Sequence, residues 1–295
     1  MINYVLHIVI ISEIFALFAV GLQLQIGDTG LYNFGHVAFF GLGAYASALL
    51  TVHGVPFLVS LVLSLGIAGG IAWLVGFPIL RLRGDYFGLA MLGFAEIMRK
   101  VFLNEAWLTR GPMGIPGIPR PSLFGFTVKG LPGFAVLYGG FLVAAFLFTH
   151  HVVRSPLGRV FHAIRDDEFS ASAVGKDTFR LRRISLVIGT LLAALGGVLW
   201  AHYITFISPS DFTLNETILV LLIVVLGSRW GIPGSILATF LVIGFQEGLR
   251  FLPLPESLGR IVAPVQQMAF GLVLILLVMR QHLKGLGKGE RLAED

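Results

Sequence analysis

Residues 154–183 read RSPLGRVFHAIRDDEFSASAVGKDTFRLRR, and they lie between long apolar runs. Seven basic side chains (Arg154, Arg159, Arg165, Lys176, Arg180, Arg182, Arg183) stand there against four acids, Asp166, Asp167, Glu168 and Asp177. A charge at the centre of a bilayer costs about 2.5–3.5 kcal/mol even on insertion scales, so this segment belongs in water. Its apolar residues keep a helical spacing: Val160, Phe161 and Ile164, then Phe169, Ala173 and Val174. Ser155-Pro156 supplies an N-cap and first turn, and Gly175 can end a helix. Two readings satisfy this pattern, a short amphipathic helix at the aqueous surface and a solvated loop between two spans.

Outward from that segment the chain is apolar. Of its 295 residues 56% are hydrophobic and 13% charged, about half the charge of an ordinary soluble domain. Mean hydropathy is +0.88. The composition defines an all-α integral membrane protein. Windows of about 20 apolar residues give about nine candidate spans or re-entrant helices: 2–24, 33–53, 56–78, 86–104, 131–150, 184–206, 212–228, 232–250 and 262–280. The Pro/Gly-rich stretch 105–130 has no helical period and reads as an irregular surface loop. Residues 281–295 form a polar tail, and no soluble domain interrupts 1–295. The first Lys or Arg is Arg81, so the first apolar run reads as a retained span and not a cleaved signal.

Basic residues orient the spans. With 154–183 in the cytoplasm, alternation puts the N-terminus outside. Seven of the 21 Lys and Arg (Arg99, Lys100, Arg110, Arg120, Lys129, Arg250 and Arg260) then fall outside, leaving 14 inside. The net charge of +5 follows span ends, which does not suggest nucleic acid. An internal echo, GFAEIMR at 93–99 and GFQEGLR at 244–250, hints at a repeat that sets a Glu-x-x-Arg pair at one depth in each half.

Enzyme chemistry finds no support. There is no cysteine, no His-Glu-x-x-His metal motif, and no set of Ser, His and Asp in a recognisable order. Gly285, Gly287 and Gly289 lack the spacing of a phosphate-wrapping loop, so any ATP must bind another subunit. Ionisable residues within spans are the better candidates for a pathway or gate: Glu13, His36, Glu96 with Arg99, and Glu247 with Arg250. Each Glu-x-x-Arg pair can equally be a structural ion pair, and His36 an interhelical hydrogen-bonder. Small residues (Gly35, Gly41, Gly43; Gly66, Gly70; Gly189, Gly196, Gly197) read as helix contacts. Gly27-Asp28-Thr29-Gly30 reads as a turn or as the unwound break of a discontinuous helix.

Several blocks together carry a resemblance. NFGHVAFFGLGAY (33–45), LRLRGDYF (80–87), LGFAEIMR (92–99), LTRGPMGI (108–115), SPLGR (155–159), AIRDDE (163–168) and YITFISPSDF (203–212) follow one another in the order of the LIV-type permeases. The chain resembles the LivM-like branch of these membrane subunits of bacterial branched-chain amino-acid ABC importers, over about residues 27–250. Two departures stand out: Asn33 where the family usually has Ser, and a shortened Gly227-Ser-Arg-Trp-Gly231 turn.

The resemblance implies a single permease domain in the bacterial inner membrane, paired with a LivH-like sister permease. It also implies two ATPase subunits, which would bind ATP and Mg, and a periplasmic binding protein that would deliver solute. No cofactor and no metal are expected in this chain. The ATPase-coupling residues would be Gly158, Arg159, Arg165, Asp166, Asp167, Glu168, Ala171 and Gly175. Hydrophobic amino acids are the implied solutes, with urea or short amides as the alternative. The rivals from other classes are a stand-alone proton-coupled transporter, using Glu13 or Glu96, and a membrane scaffold.

Overall fold

The computed structural model describes residues 2–82, 84–123 and 126–249, together with 268 and 272. The candidate span 262–280, the tail 281–295 and Arg250 lie outside the described residues. Helix α1 (Ile2–Gln23) runs on into a π-helical turn, Leu24–Asp28. Then come α2 (His36–Val52), α3 (Phe57–Ile79), α4 (Asp85–Asn104) and the single turn α5 (Ala106–Thr109). Helix α6 (Leu131–Arg154) leads into the short α7 (Pro156–Asp166) and α8 (Glu168–Ala173). The last described helices are α9 (Thr178–Ile204), α10 (Leu214–Gly227) and α11 (Gly231–Leu249).

Apolar side chains predominate along these segments, and only a helix satisfies backbone N–H and C=O groups within its own segment in lipid. Five stretches are long and apolar enough to cross a membrane: Ile2–Asp28, Phe57–Ile79, Leu131–Arg154, Thr178–Ile204 and Pro209–Glu247. The expected count of nine is not reached among the described residues, for physical reasons. Helix α2 has only 17 residues, and α4 carries Asp85, Glu96, Arg99 and Lys100. Pro209–Glu247 is two helices folded against each other, since the backbones of Gly227 and Gly234 meet too closely for a side chain at either position.

Helices α1 and α9 form the centre and run antiparallel. Gln25 reaches Leu186 at one end, Gly21 packs on Gly189, and His7 pairs with Tyr203 at the other end. Helix α2 crosses α9 where Gly43 abuts Ala194 and Gly197 abuts Phe40, so these glycines are contacts as their sequence suggests. Gly66 and Gly70 are not: no described atom outside their own helix turn lies within 4 Å of a β-carbon placed there. Helix α3 instead buries Ser60, Ser64, Ala68, Ala72 and Gly76, every fourth residue, and exposes Val62, Leu63, Ile67 and Leu74. Small side chains thus face protein and large apolar ones face outward, as lipid solvation favours.

Contacts between ends fix relative sides. Asp28 at the end of α1 meets His162 of α7, Gln23 meets Ser235 at the start of α11, and Tyr4 meets Glu247 at its end. The irregular stretch 105–130 sits at the opposite end from α7. Its strand β1 (Ile115–Pro116) pairs antiparallel with β4 (Phe206–Ile207) after α9, and β2 (Ser122–Leu123) pairs with β3 (Phe126–Thr127). Met113 is exposed there and Ser172 is exposed beside α7. In intact cells, Met113→Cys should react with an impermeant thiol reagent and Ser172→Cys should not. The chain has no native cysteine to confuse the readout. The reverse labelling contradicts the orientation.

Candidate functional site

The charged segment folds as two helices joined at Asp167, not as one continuous helix. Ser155 Oγ accepts from the Leu157 and Gly158 amides at 3.1 and 3.4 Å, the N-cap expected from Ser-Pro. Asp167 caps α8 in turn, accepting from Phe169 N and Ser170 N at 2.9 and 3.2 Å. The Ser170 hydroxyl and backbone and the Phe169 amide hold the Asp167 carboxyl below the usual carboxylate range. A depressed carboxylate stabilises its cap above the ordinary value and loses that contribution as pH falls through the lowered one. Gly175, at φ 80°, ends the unit as the sequence suggests.

Helix α7 turns Phe161 and Ile164 inward, where Phe161 packs with Leu24 and Val152. Gly158 is buried because Val153 of α6 lies against it too closely for a side chain. On the same inner side the helix grips the π-helical turn that ends α1. His162 Nε2 donates to Asp28 Oδ1 across 2.8 Å, and Arg165 Nη1 donates to the Gly27 carbonyl across 2.6 Å. The Arg165 stem also lies on Gly30, whose φ of 74° suits glycine. In α8, Ala171 is buried, and Glu168 pairs with Arg182 of α9 at 3.0 Å. Arg159, Asp166, Phe169 and Val174 are exposed on the far side.

Beyond the π turn the chain does not simply reverse outside the membrane. Residues 29–35 leave the helix and run back along α1, largely buried, before α2 begins at His36. His36 stacks on Phe18 with centroids 5.0 Å apart and donates from Nε2 to the Phe18 carbonyl at 3.2 Å. Phe18 is ten residues before Asp28, so α2 starts about 15 Å up the length of α1. Gly27 and Asp28 stay within the π turn and the chain leaves it at Thr29–Gly30 and folds back, so the segment is a turn set inside the protein and not a break in one continuing helix.

The freed polar groups find partners inside. Gln25 Nε2 donates to the Leu186 carbonyl at 2.9 Å, while its Oε1 accepts from Asn33 Nδ2 at 3.0 Å. Asn33 Oδ1 accepts from Gly35 N at 3.0 Å, and Leu31 N donates to the Gln25 carbonyl at 2.7 Å. Thr29 and Ser185 hydroxyls lie 2.6 Å apart. A polar seam thus joins α1, the turn, α2 and α9, and α7 is attached to its end.

The other candidates are dispersed. Glu13 is buried, with Oε1 beside Gly139 of α6. His36 is fully buried in the packing just described. Glu96 and Arg99 form a two-pronged ion pair at 2.6 and 2.8 Å on α4. Phe94 lies beside Phe39 and Phe102 beside Tyr45, so the pair stands at the middle of α2. Glu247 accepts from Tyr4 at 2.9 Å, near the outer end of α1. The two glutamates therefore differ in depth, because one matching heptad lies inside α4 and the other ends α11. Sequence reasoning passed over Gln25, Asp28, His162 and Arg182. Gln25, an amide in an apolar run two residues before a glycine, was the available signal.

A bundle of apolar helices, fitted at one end with an amphipathic surface helix, has the architecture of a multi-pass membrane protein. The chain matches the family model described as branched-chain amino acid transport system, permease component, over residues 4–279, and belongs to that family. It is 35% identical over 263 residues to the high-affinity branched-chain amino acid transport system permease protein LivM of Salmonella typhimurium. That alignment covers 81% of this chain and 62% of the relative, so the chain spans less than two thirds of that protein. The Escherichia coli LivM match is alike, 35% over 264 residues with the same coverage. To the Escherichia coli permease protein LivH it is 27% identical over 299 residues, covering 94% of this chain and 93% of that one. No solved structure matches it.

The seam makes a testable claim about Asn33, where the resemblance leads one to expect a serine. A serine there retains an acceptor for Gly35 N but is too short to reach Gln25 as well. Asn33→Ser should lower thermal stability in detergent modestly. Gln25→Leu should lower it further, by about 1–3 kcal/mol for each buried group left unpaired. Equal stability of Gln25→Leu and the parent would contradict the seam.

Proposed function

We propose that the chain is the membrane permease component of an ATP-driven importer for branched-chain and other hydrophobic amino acids in the bacterial cytoplasmic membrane. It shares the translocation pathway with a LivH-like sister permease. Two ATPase subunits on the cytoplasmic side bind ATP and Mg, and a binding protein outside delivers the solute. The chain is a permease, not an enzyme; hydrolysis belongs to its partners.

The observation that carries this reading is the two-sided α7–α8 unit. Its inner side is tied to the π turn by His162, Arg165 and Phe161. Its outer side presents Arg159, Asp166 and Val174, the last 74% exposed. A helix that carries force from an ATPase needs both a firm inner attachment and a free outer face. Motion of α7 passes to the end of α1 and, through Gln25 and Asn33, to the start of α2. A π turn suits this place, since such single turns within α-helices are rare and occur frequently at functional sites. Asp167 and Glu168 serve inside the unit, as cap and as partner of Arg182, while Asp166 faces outward.

Two variants separate the sides in the complete importer. Val174→Asp with Arg159→Glu should weaken ATPase association while the permease still inserts. Asp28→Ala should leave the ATPase bound but lower uptake per ATP hydrolysed, because it removes a hydrogen bond worth about 1.5–3 kcal/mol when a charge takes part, roughly tenfold or more in an equilibrium. Normal ATPase retention by the first variant and normal coupling by the second would overturn the proposal.

A further inference from the structure

Helix α4 carries Glu96, Arg99 and Lys100 on its outward side, at mid-length of the bundle. The Glu96 side chain is 54% exposed and that of Arg99 27%. Facing lipid, such charges would each cost kilocalories, so this side of α4 faces water or protein. Within their cluster the charges are not balanced: two cations stand beside one acid, with Lys100 Nζ at 4.0 Å from Glu96.

Beside the pair lies a pocket of about 180 Å³ between α4, α2 and the start of α10. Val37, Leu92, Ala95, Phe212 and Leu214 line it, with Glu96 and Arg99 at its polar edge. Its aromatic wall is rigid: Phe212 packs on Phe40, Tyr45 and Phe102, and Tyr45 stacks on Phe102 at 4.3 Å. Gly41 lets this aromatic group close up, since a β-carbon there would meet Phe102 and Phe212. A carboxylate and a guanidinium side by side, next to a small apolar pocket, complement a molecule with an ammonium, a carboxylate and a short apolar side chain.

Resting on the importer reading, we infer that Glu96, Arg99 and this pocket form a station in the pathway that reads the zwitterionic head and apolar side chain of an amino acid. The ammonium goes to Glu96, the carboxylate to Arg99, and the side chain into the pocket over Phe212. The intrahelical pair then has a second role. Between solutes each charge satisfies the other, so neither waits unpaired, and an arriving zwitterion exchanges one ion pair for two. A neutral amide or urea offers no such exchange, which selects amino acids within the proposed family of solutes.

The chain lacks cysteine, so Ala95→Cys places a single reporter in the pocket. The solubilised complete importer is treated with a water-soluble thiol reagent, with and without leucine. Labelling should occur and should slow with leucine. Isoamylamine, which lacks the carboxylate, and isocaproate, which lacks the ammonium, should each need about tenfold or more higher concentration for equal protection. Adding Glu96→Gln or Arg99→Gln should remove the preference for leucine over one of the two analogues while labelling without solute persists. Labelling that leucine does not slow, or that the three compounds slow alike, overturns the station and leaves the importer reading standing. No labelling of the Ala95→Cys variant, under conditions where Met113→Cys in the same importer is labelled, means that this face is closed to water. That outcome would overturn the station and the placement of α4 on the pathway together.

Discussion

Backbone that leaves a helix at membrane depth must find its hydrogen-bond partners inside the protein, because lipid offers none. Residues 29–35 impose that demand here, and the Gln25 amide meets it. Its nitrogen donates to the Leu186 carbonyl and its oxygen accepts from Asn33, whose own oxygen accepts from the Gly35 amide. Without this chain of contacts α2 could not begin beside Phe18, and the crossing of α2 with α9 at Gly43 and Gly197 would lose its register. In lipid, helices gain little from burying apolar surface against one another, so close backbone contacts and interior hydrogen bonds decide the arrangement. The seam and the glycine crossings are these two contributions.

The same seam gives the surface helix a route inward. Helix α7 touches the protein at the turn where α1 is already loosened into π geometry, and there Arg165 Nη1 holds a backbone carbonyl of that turn while Nε and Nη2 donate to Asp166 within the surface unit. A pull on α7 therefore acts on the main chain of α1 directly. Glu168 and Arg182 tie α8 to the base of α9, so the unit is attached to both central helices. An attachment at two points transmits rotation as well as translation.

Much of this was legible in the sequence. The charge pattern of 154–183 identified a surface element, Ser155-Pro156 its start, Gly175 its end, and successive apolar runs the spans. The resembling blocks identified the family. What stayed hidden depended on tertiary pairing. Phe169 and Val174 keep helical spacing with Phe161, yet the break at Asp167 turns them outward. Gly66 and Gly70 match a contact motif, yet α3 meets α9 along the stripe of Ser60, Ser64 and Ala68. The depth of α2 was also invisible, because apolar length measures how far a helix can reach and not where it starts. The pairing of Asp28 with His162 stayed hidden because each acquires its role only when two distant segments meet, whereas Gln25 stood out as an amide in an apolar run.

The central claim is that α7 and the end of α1 move as one body during transport. Cysteines replacing Asp28 and His162 in the otherwise cysteine-free chain, joined by a short bifunctional thiol reagent in the assembled importer, test it directly. The account predicts that the uncross-linked double variant, which lacks the Asp28–His162 hydrogen bond, takes up less solute per ATP than the parent, and that cross-linking raises uptake again because the link replaces that attachment. Loss of transport on cross-linking, restored when a cleavable linker is cut, would show that the two must separate in each cycle and would contradict the account.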